Sequence, residues 1–136
     1  MIMPAIAVQA NNGTTDYTNS DSRITVTIDH TKVDKDLTNF PLLLHFSKNS
    51  GTNGYDCSKM VNTLTVGHRK KIAVYTEGGQ QCYVEIERWG FKEEAAWLWV
   101  KVPSVSASKD TVLTLYYDKN KAPNTAFVGN PGDAAA

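Results

Sequence analysis

Cysteine is scarce in this chain of 136 residues; only Cys57 and Cys82 occur. Neither belongs to a Cys-x-x-Cys pair, so the spacing supplies no thiolate metal site. A bridge between them would close a loop of about 25 residues and contribute ~3 kcal/mol; alternatively Cys82 packs as a small free hydrophobe. An excess of charge of one sign is also missing, since 14 basic residues balance 14 acidic ones. Without a basic surplus the chain has little with which to neutralise phosphates, which argues against nucleic acid as its main partner. The one basic run, His68-Arg69-Lys70-Lys71, is short and reads as a solvated loop edge. No apolar run approaches the ~20 residues that cross a bilayer, so no membrane span is expected. No glycine-rich loop opens a helix and no serine sits in a nucleophile-elbow context, which leaves nucleotide binding and serine hydrolysis without support. His30, His45 and His68 share no ligand spacing, and Asp16, Asp21 and Asp56 form no calcium-loop pattern. We therefore expect no metal and no cofactor.

What is present is alternation. Hydrophobic residues make up 41% of the chain and charged residues 21%, a balance that suits one folded domain with its own core. Arg23 to Asp29 alternates cleanly, with Ile24, Val26 and Ile28 on one face and threonines on the other. Phe40 to Phe46 is nearly all apolar and suits a more central strand, with Pro41 at its start because proline cannot donate to a ladder. Asp56 is placed to cap a single helical turn over Cys57 to Asn62. Lys71–Thr76 and Gln80–Trp89 flank Glu77-Gly78-Gly79, a hairpin signal. Thr111 to Tyr117 alternates again. Six or seven short strands separated by turns predict an all-β fold, a single antiparallel β-sandwich of jelly-roll type with at most one short helix. The layout expected is an apolar arm and polar linker over 1–22, the sandwich over 23–118, and a linker over 119–136. Met1 to Ala10 reads either as the remnant of a signal or as an arm that pairs with a sheet edge, and Asn12-Gly13-Thr14 fits the glycosylation pattern.

The stretch Gln80 to Pro103, QQCYVEIERWGFKEEAAWLWVKVP, organises the rest. In its first strand Cys82, Val84 and Ile86 share one face, with Tyr83, Glu85, Glu87 and Trp89 on the other. In its second, Ala96, Leu98, Val100 and Val102 oppose Trp97, Trp99 and Lys101. Paired, the two strands would gather Tyr83, Glu85, Glu87, Trp89, Trp97, Trp99 and Lys101 on one sheet surface.

Four segments, Asp36-Leu37-Thr38-Asn39-Phe40-Pro41, Glu85-Ile86-Glu87-Arg88-Trp89, Trp97-Leu98-Trp99-Val100-Lys101-Val102-Pro103 and Leu115-Tyr116-Tyr117-Asp118, resemble in order and spacing an uncharacterised β-rich domain. That family of unknown function occurs in bacterial and archaeal surface proteins and phage structural proteins, commonly ahead of a laminin-G or concanavalin-like lectin domain. The resemblance runs over Ile24 to Ala136 and implies no catalytic role. It implies an extracellular or virion-surface setting, such as capsid decoration, a tail protein or a filament subunit.

Three roles fit the aromatic, charged surface. It can serve a structural and adhesive module that contacts other subunits of a homo-oligomer or larger assembly, and glycans as well. It can serve a stand-alone carbohydrate-binding module, with pyranose rings stacked on aromatics and hydroxyls bonded to Glu85, Glu87 and Lys101. Glu85 and Glu87, about 7 Å apart on one strand face, also match the paired carboxylates of glycosidases. The Glu-x-Glu pattern resembles the acidic strand of laminarinase-type jelly rolls, but the third acidic position falls on Gly90. The first role is the expectation carried forward, with no enzyme activity.

Overall fold

Side chains that alternate in polarity every second residue can bury one face of a strand and wet the other, and the chain uses this repeatedly. The computed structural model describes residues 15–131. Its strands are β1 (Ser22–Ile28), β2 (Leu37–Phe46), β3 (Ile72–Thr76), β4 (Gln81–Cys82), β5 (Val84–Gly90), β6 (Ala95–Val105), β7 (Thr111–Tyr117) and β8 (Val128–Gly129). They form two four-stranded sheets, β1-β7-β3-β4 and β2-β6-β5-β8. All the pairings are antiparallel except that of β8, which lies parallel to β5. The expected all-β sandwich is therefore the fold; β3–β4 and β5–β6 are neighbours within a sheet, and the other consecutive strands cross from one sheet to the other.

The core lies between the sheets. Leu113 and Leu115 of β7 and Ile72 and Val74 of β3 face Leu98, Val100 and Val102 of β6 and Val84 and Ile86 of β5, all essentially without solvent contact. The one α-helix among the described residues, α1 (Ser58–Leu64), adds Met60, Val61 and Leu64 to that core. Asp56 accepts hydrogen bonds from the backbone N–H (2.9 Å) and hydroxyl (2.6 Å) of Ser58 as the helix begins. Both cysteines are free and buried, and burial pushes the Cys82 thiol up to about 11.

Three local expectations are corrected. Phe40–Phe46 belongs to β2, which is an edge strand rather than a central one. Pro41 sits within that strand, not at its start. It is tolerated because Lys101 opposite turns its backbone N–H toward Tyr83 O (2.9 Å), so Pro41 occupies a position not hydrogen-bonded to β6, with its nitrogen toward the open edge. Gln80–Trp89 is not a single hairpin strand. The turn itself forms, with Gly79 at φ +95°, but only Gln81 and Cys82 pair with β3; the chain then crosses at Tyr83 to the other sheet.

The two ends of the described chain are bound to the sandwich rather than trailing from it. Tyr17 is fully buried, and its hydroxyl donates to Ala122 O at 2.5 Å. Desolvation raises its pKa well above the ordinary tyrosine value. Residues 119–131, which lack any period, return along the molecule. Asn124, 1% exposed, donates through Nδ2 to Ile72 O (2.9 Å) and Gln81 Oε1 (2.7 Å), and its own N–H reaches Lys70 O. The basic run helps hold this segment: Arg69 donates to Asn130 Oδ1 and Lys71 to Lys119 O. The apolar arm, the glycosylation triplet and the last five residues lie outside the described residues.

Asn124→Ala strips Ile72 O of its side-chain donor inside the fold, so a loss of about 1–3 kcal/mol is expected in urea denaturation; an unchanged midpoint would mean the segment contributes nothing. A second expectation concerns acid. Side-chain and backbone hydrogen bonds hold Asp29 (from Thr31), Asp56 (from Ser58) and Asp110 (from His30) below the usual carboxylate range, as Lys48 does Glu94. Depressed folded-state values contribute stability above the unfolded pKa that is lost as pH falls through the folded ones. The melting temperature should hold from neutrality to about pH 5 and drop below about pH 4.

Candidate functional site

The outer face of the β2-β6-β5 sheet is built in three cross-strand rows. In the first, Pro41 of β2 lies opposite Lys101 of β6, and Tyr83 follows at the β5 side, where its ring stacks on Phe127 (centroids 4.8 Å apart, planes at 24°). The second row is Leu43, Trp99 and Glu85; the third is His45, Trp97 and Arg88. Adjacent strands are ~4.8 Å apart, so neighbours within each row are in contact range.

Of the residues expected on this surface, Tyr83, Glu85, Glu87, Trp97, Trp99 and Lys101 are there together. Trp89 is not. Between Ile86 and Arg88 the register of β5 against β6 slips by one residue, a β-bulge that places Glu87 and Arg88 together opposite Trp97. The extra residue inverts the alternation, so Trp89 turns inward and is 8% exposed within the core cluster. Its indole N–H has no hydrogen-bond partner among the described residues.

The remaining aromatics are held in different ways. Trp97 stacks on His45 (centroids 4.6 Å apart, planes at 13°) and carries the Arg88 guanidinium 5.3 Å from its centroid. Arg88 also pairs with Glu93 of the β5–β6 turn. Trp99 donates its indole N–H to Glu87 Oε1 at 2.8 Å, which fixes the ring and engages one of the two candidate carboxylates. Beside Trp99 lies an open recess of about 480 Å³, lined by Asn39, Pro41, Tyr83, Glu85, Trp99 and Lys101 among others. The side chains of Glu85 and Lys101 take no hydrogen-bond or ion-pair partner among the described residues. Leu43 and Tyr83 are each 45% exposed.

Asn39, Pro41, Leu43 and His45 were not among the expected site residues. For Pro41 and Leu43 the signal was the near-complete apolarity of Phe40–Phe46, which reads as double burial until the strand is placed at an edge; Asn39 and His45 carried no such signal. Elsewhere, Asp29, His30 and Asp110 bring ligand atoms within 4.8 Å of one another. Those atoms are engaged internally: His30 Nδ1 with Asp110 Oδ1 at 2.6 Å, and Asp29 with the backbone and hydroxyl of Thr31. This cluster fastens the end of β1 to the start of β7.

One family model matches the part of the chain that carries β5 and β6. Residues 68–133 fit the model of a domain of unknown function, DUF2341. Over that span the chain is similar to that family. No curated protein and no solved structure matches the chain. The matched span contains Tyr83, Glu85, Glu87, Arg88, Trp97, Trp99 and Lys101, whereas the β2 side of the face lies before it.

The inversion at the bulge separates the tryptophans energetically. Trp89→Ala empties a core site and should cost about 3–5 kcal/mol, while Trp99→Ala on the open face should cost about 1 kcal/mol. Thermal or urea unfolding of the two variants checks this; equal losses would place Trp89 on the surface.

Proposed function

We propose that this chain is a non-catalytic structural and adhesive module of a cell or virion surface, and that it contacts saccharides through the recess beside Trp99. The observation that carries the reading is the composition of that recess. The Trp99 and Tyr83 rings and Pro41 offer apolar surface, and Asn39, Glu85 and Lys101 offer acceptors and donors around it. A pyranose ring presents the complementary pair, a C–H face for stacking and hydroxyls at its rim, and rigid aromatics give such contact at small entropic cost. Its volume lies within the range of small-molecule sites, and its openness suits a terminal or side-chain sugar rather than an enclosed substrate.

The hydrolase alternative is supported less well. Glu87 orients Trp99, and the two carboxylates project from an open sheet face in place of a cleft that would flank a glycosidic bond. A stand-alone carbohydrate-binding module would use the same recess and differs only in lacking the structural role.

A glycan array followed by titration calorimetry tests the proposal. Trp99→Ala and Lys101→Ala should each weaken binding at least about tenfold, or ~1.4 kcal/mol, with the melting temperature nearly preserved for Lys101→Ala. Absence of any bound glycan, or binding indifferent to both substitutions, overturns it. Release of reducing sugar that disappears in Glu87→Gln would replace the adhesive reading with an enzymatic one.

A further inference from the structure

The recess beside Trp99 carries charges of both signs, and their placement narrows the saccharides it suits. Glu85 lies directly opposite Trp99 across the β5–β6 pair, and Lys101 lies two residues further along β6. Both line the recess. They are therefore diagonal neighbours on one sheet face, with Cβ atoms about 7 Å apart. Glu85 is half-buried and Lys101 exposed, and neither side chain takes an ion-pair or hydrogen-bond partner among the described residues. Glu87 differs, because its Oε1 is already engaged by the Trp99 indole at 2.8 Å. Trp97 is engaged as well, by His45 and Arg88. Recognition at the recess thus falls to one tryptophan, one free carboxylate and one free ammonium.

A carboxylate only accepts hydrogen bonds and an ammonium only donates them. One side of the recess therefore calls for a donor and the other for an acceptor, with the apolar atoms of Trp99, Tyr83 and Pro41 completing the lining. Charged sugars meet this arrangement badly. The carboxylate of a uronic acid would pair with Lys101 but come close to Glu85, and the ammonium of an amino sugar would pair with Glu85 but come close to Lys101; in each case a like charge opposes the gain. The hydroxyls of a plain hexose satisfy either group but bring no apolar substituent. An acetamido group supplies all three features and is neutral. Its planar trans amide points N–H and C=O in opposite directions, and it ends in a methyl.

Building on the saccharide reading above, we propose that the recess selects N-acetylated amino sugars. The acetamido N–H donates to Glu85, the carbonyl accepts from Lys101, and the methyl packs on the apolar lining beside Trp99 and Pro41. Both hydrogen bonds involve an ionised protein group, the stronger kind.

Methyl glycosides of N-acetylglucosamine and N-acetylgalactosamine, beside those of glucose, galactose, glucosamine and glucuronic acid, test this by NMR titration of the full chain. At least one N-acetylated glycoside should bind about tenfold more tightly than its plain hexose and than either charged sugar. In saturation-transfer spectra, which need no variant, its acetamido methyl should receive the strongest transfer. Glu85→Ala should bring the ratio of N-acetylated to plain sugar near one, with the dispersion of the amide spectrum as the fold control. Equal affinity for N-acetylated and plain sugars overturns the selectivity, as does a ratio unchanged by Glu85→Ala or transfer centred away from the methyl. If neither N-acetylated sugar binds while another glycan on the array does, the selectivity falls and the saccharide reading stands. If nothing on the array binds, both fall.

Discussion

Strand β6 is held on both sides, by β2 along nine residue pairs and by β5 across the bulge, and the positions of the other features follow from that double pairing. Its inward residues Ala96, Leu98, Val100 and Val102 are fully buried. That burial removes any freedom of the strand to rotate or slip, since a one-residue shift would exchange its faces. Trp97, Trp99 and Lys101 consequently project outward whatever lies beyond them. The core thus makes the outer face rigid, and the hydrogen bond from Trp99 to Glu87 and the stacking of His45 on Trp97 add lateral support. A surface preorganised in this way loses little side-chain entropy on binding.

Period-two alternation made β1, β6 and β7 legible, together with the inner faces of Ile24, Val26 and Ile28 and of Ala96, Leu98, Val100 and Val102. It failed at Trp89 for an identifiable reason. A bulge is a property of the pairing between two strands, and Glu85-Ile86-Glu87-Arg88-Trp89 by itself contains no glycine or proline to mark it. The same limitation explains β2. Apolarity on both faces suggested a central strand because burial is the usual cause, but Leu43 is nearly half exposed beside Trp99. Residues 119–131 were illegible for a different cause: their anchoring relies on side-chain amide and backbone hydrogen bonds from Asn124 and on the two residue pairs of β8 with β5, neither of which has a period.

The bulge also sorts the chemistry of the face. Without it, Trp89 would lie outward and Arg88 inward, where a guanidinium has no counter-charge and its burial would cost several kcal/mol. With it, Arg88 reaches both Trp97 and Glu93 at the surface, and Trp89 fills the core. One inserted residue therefore reconciles a sequence whose strict alternation would bury a cation, which is a reason for the irregularity that does not depend on any ligand.

The two sheets of the sandwich arrange their outer faces and long edges differently. The β2-β6-β5 sheet turns its aromatic face to solvent but blunts its long edge with Pro41 and Asn39, so contact there is by side chains alone. The β1-β7-β3 sheet does the reverse. Its outer face over β3 is occupied by Tyr17 and the returning C-terminal segment, leaving Ala73 fully buried, while its β1 edge stays unblunted. The described chain ends thus anchor on one sheet and leave the aromatic face of the other uncovered, with Leu43 and Tyr83 each 45% exposed.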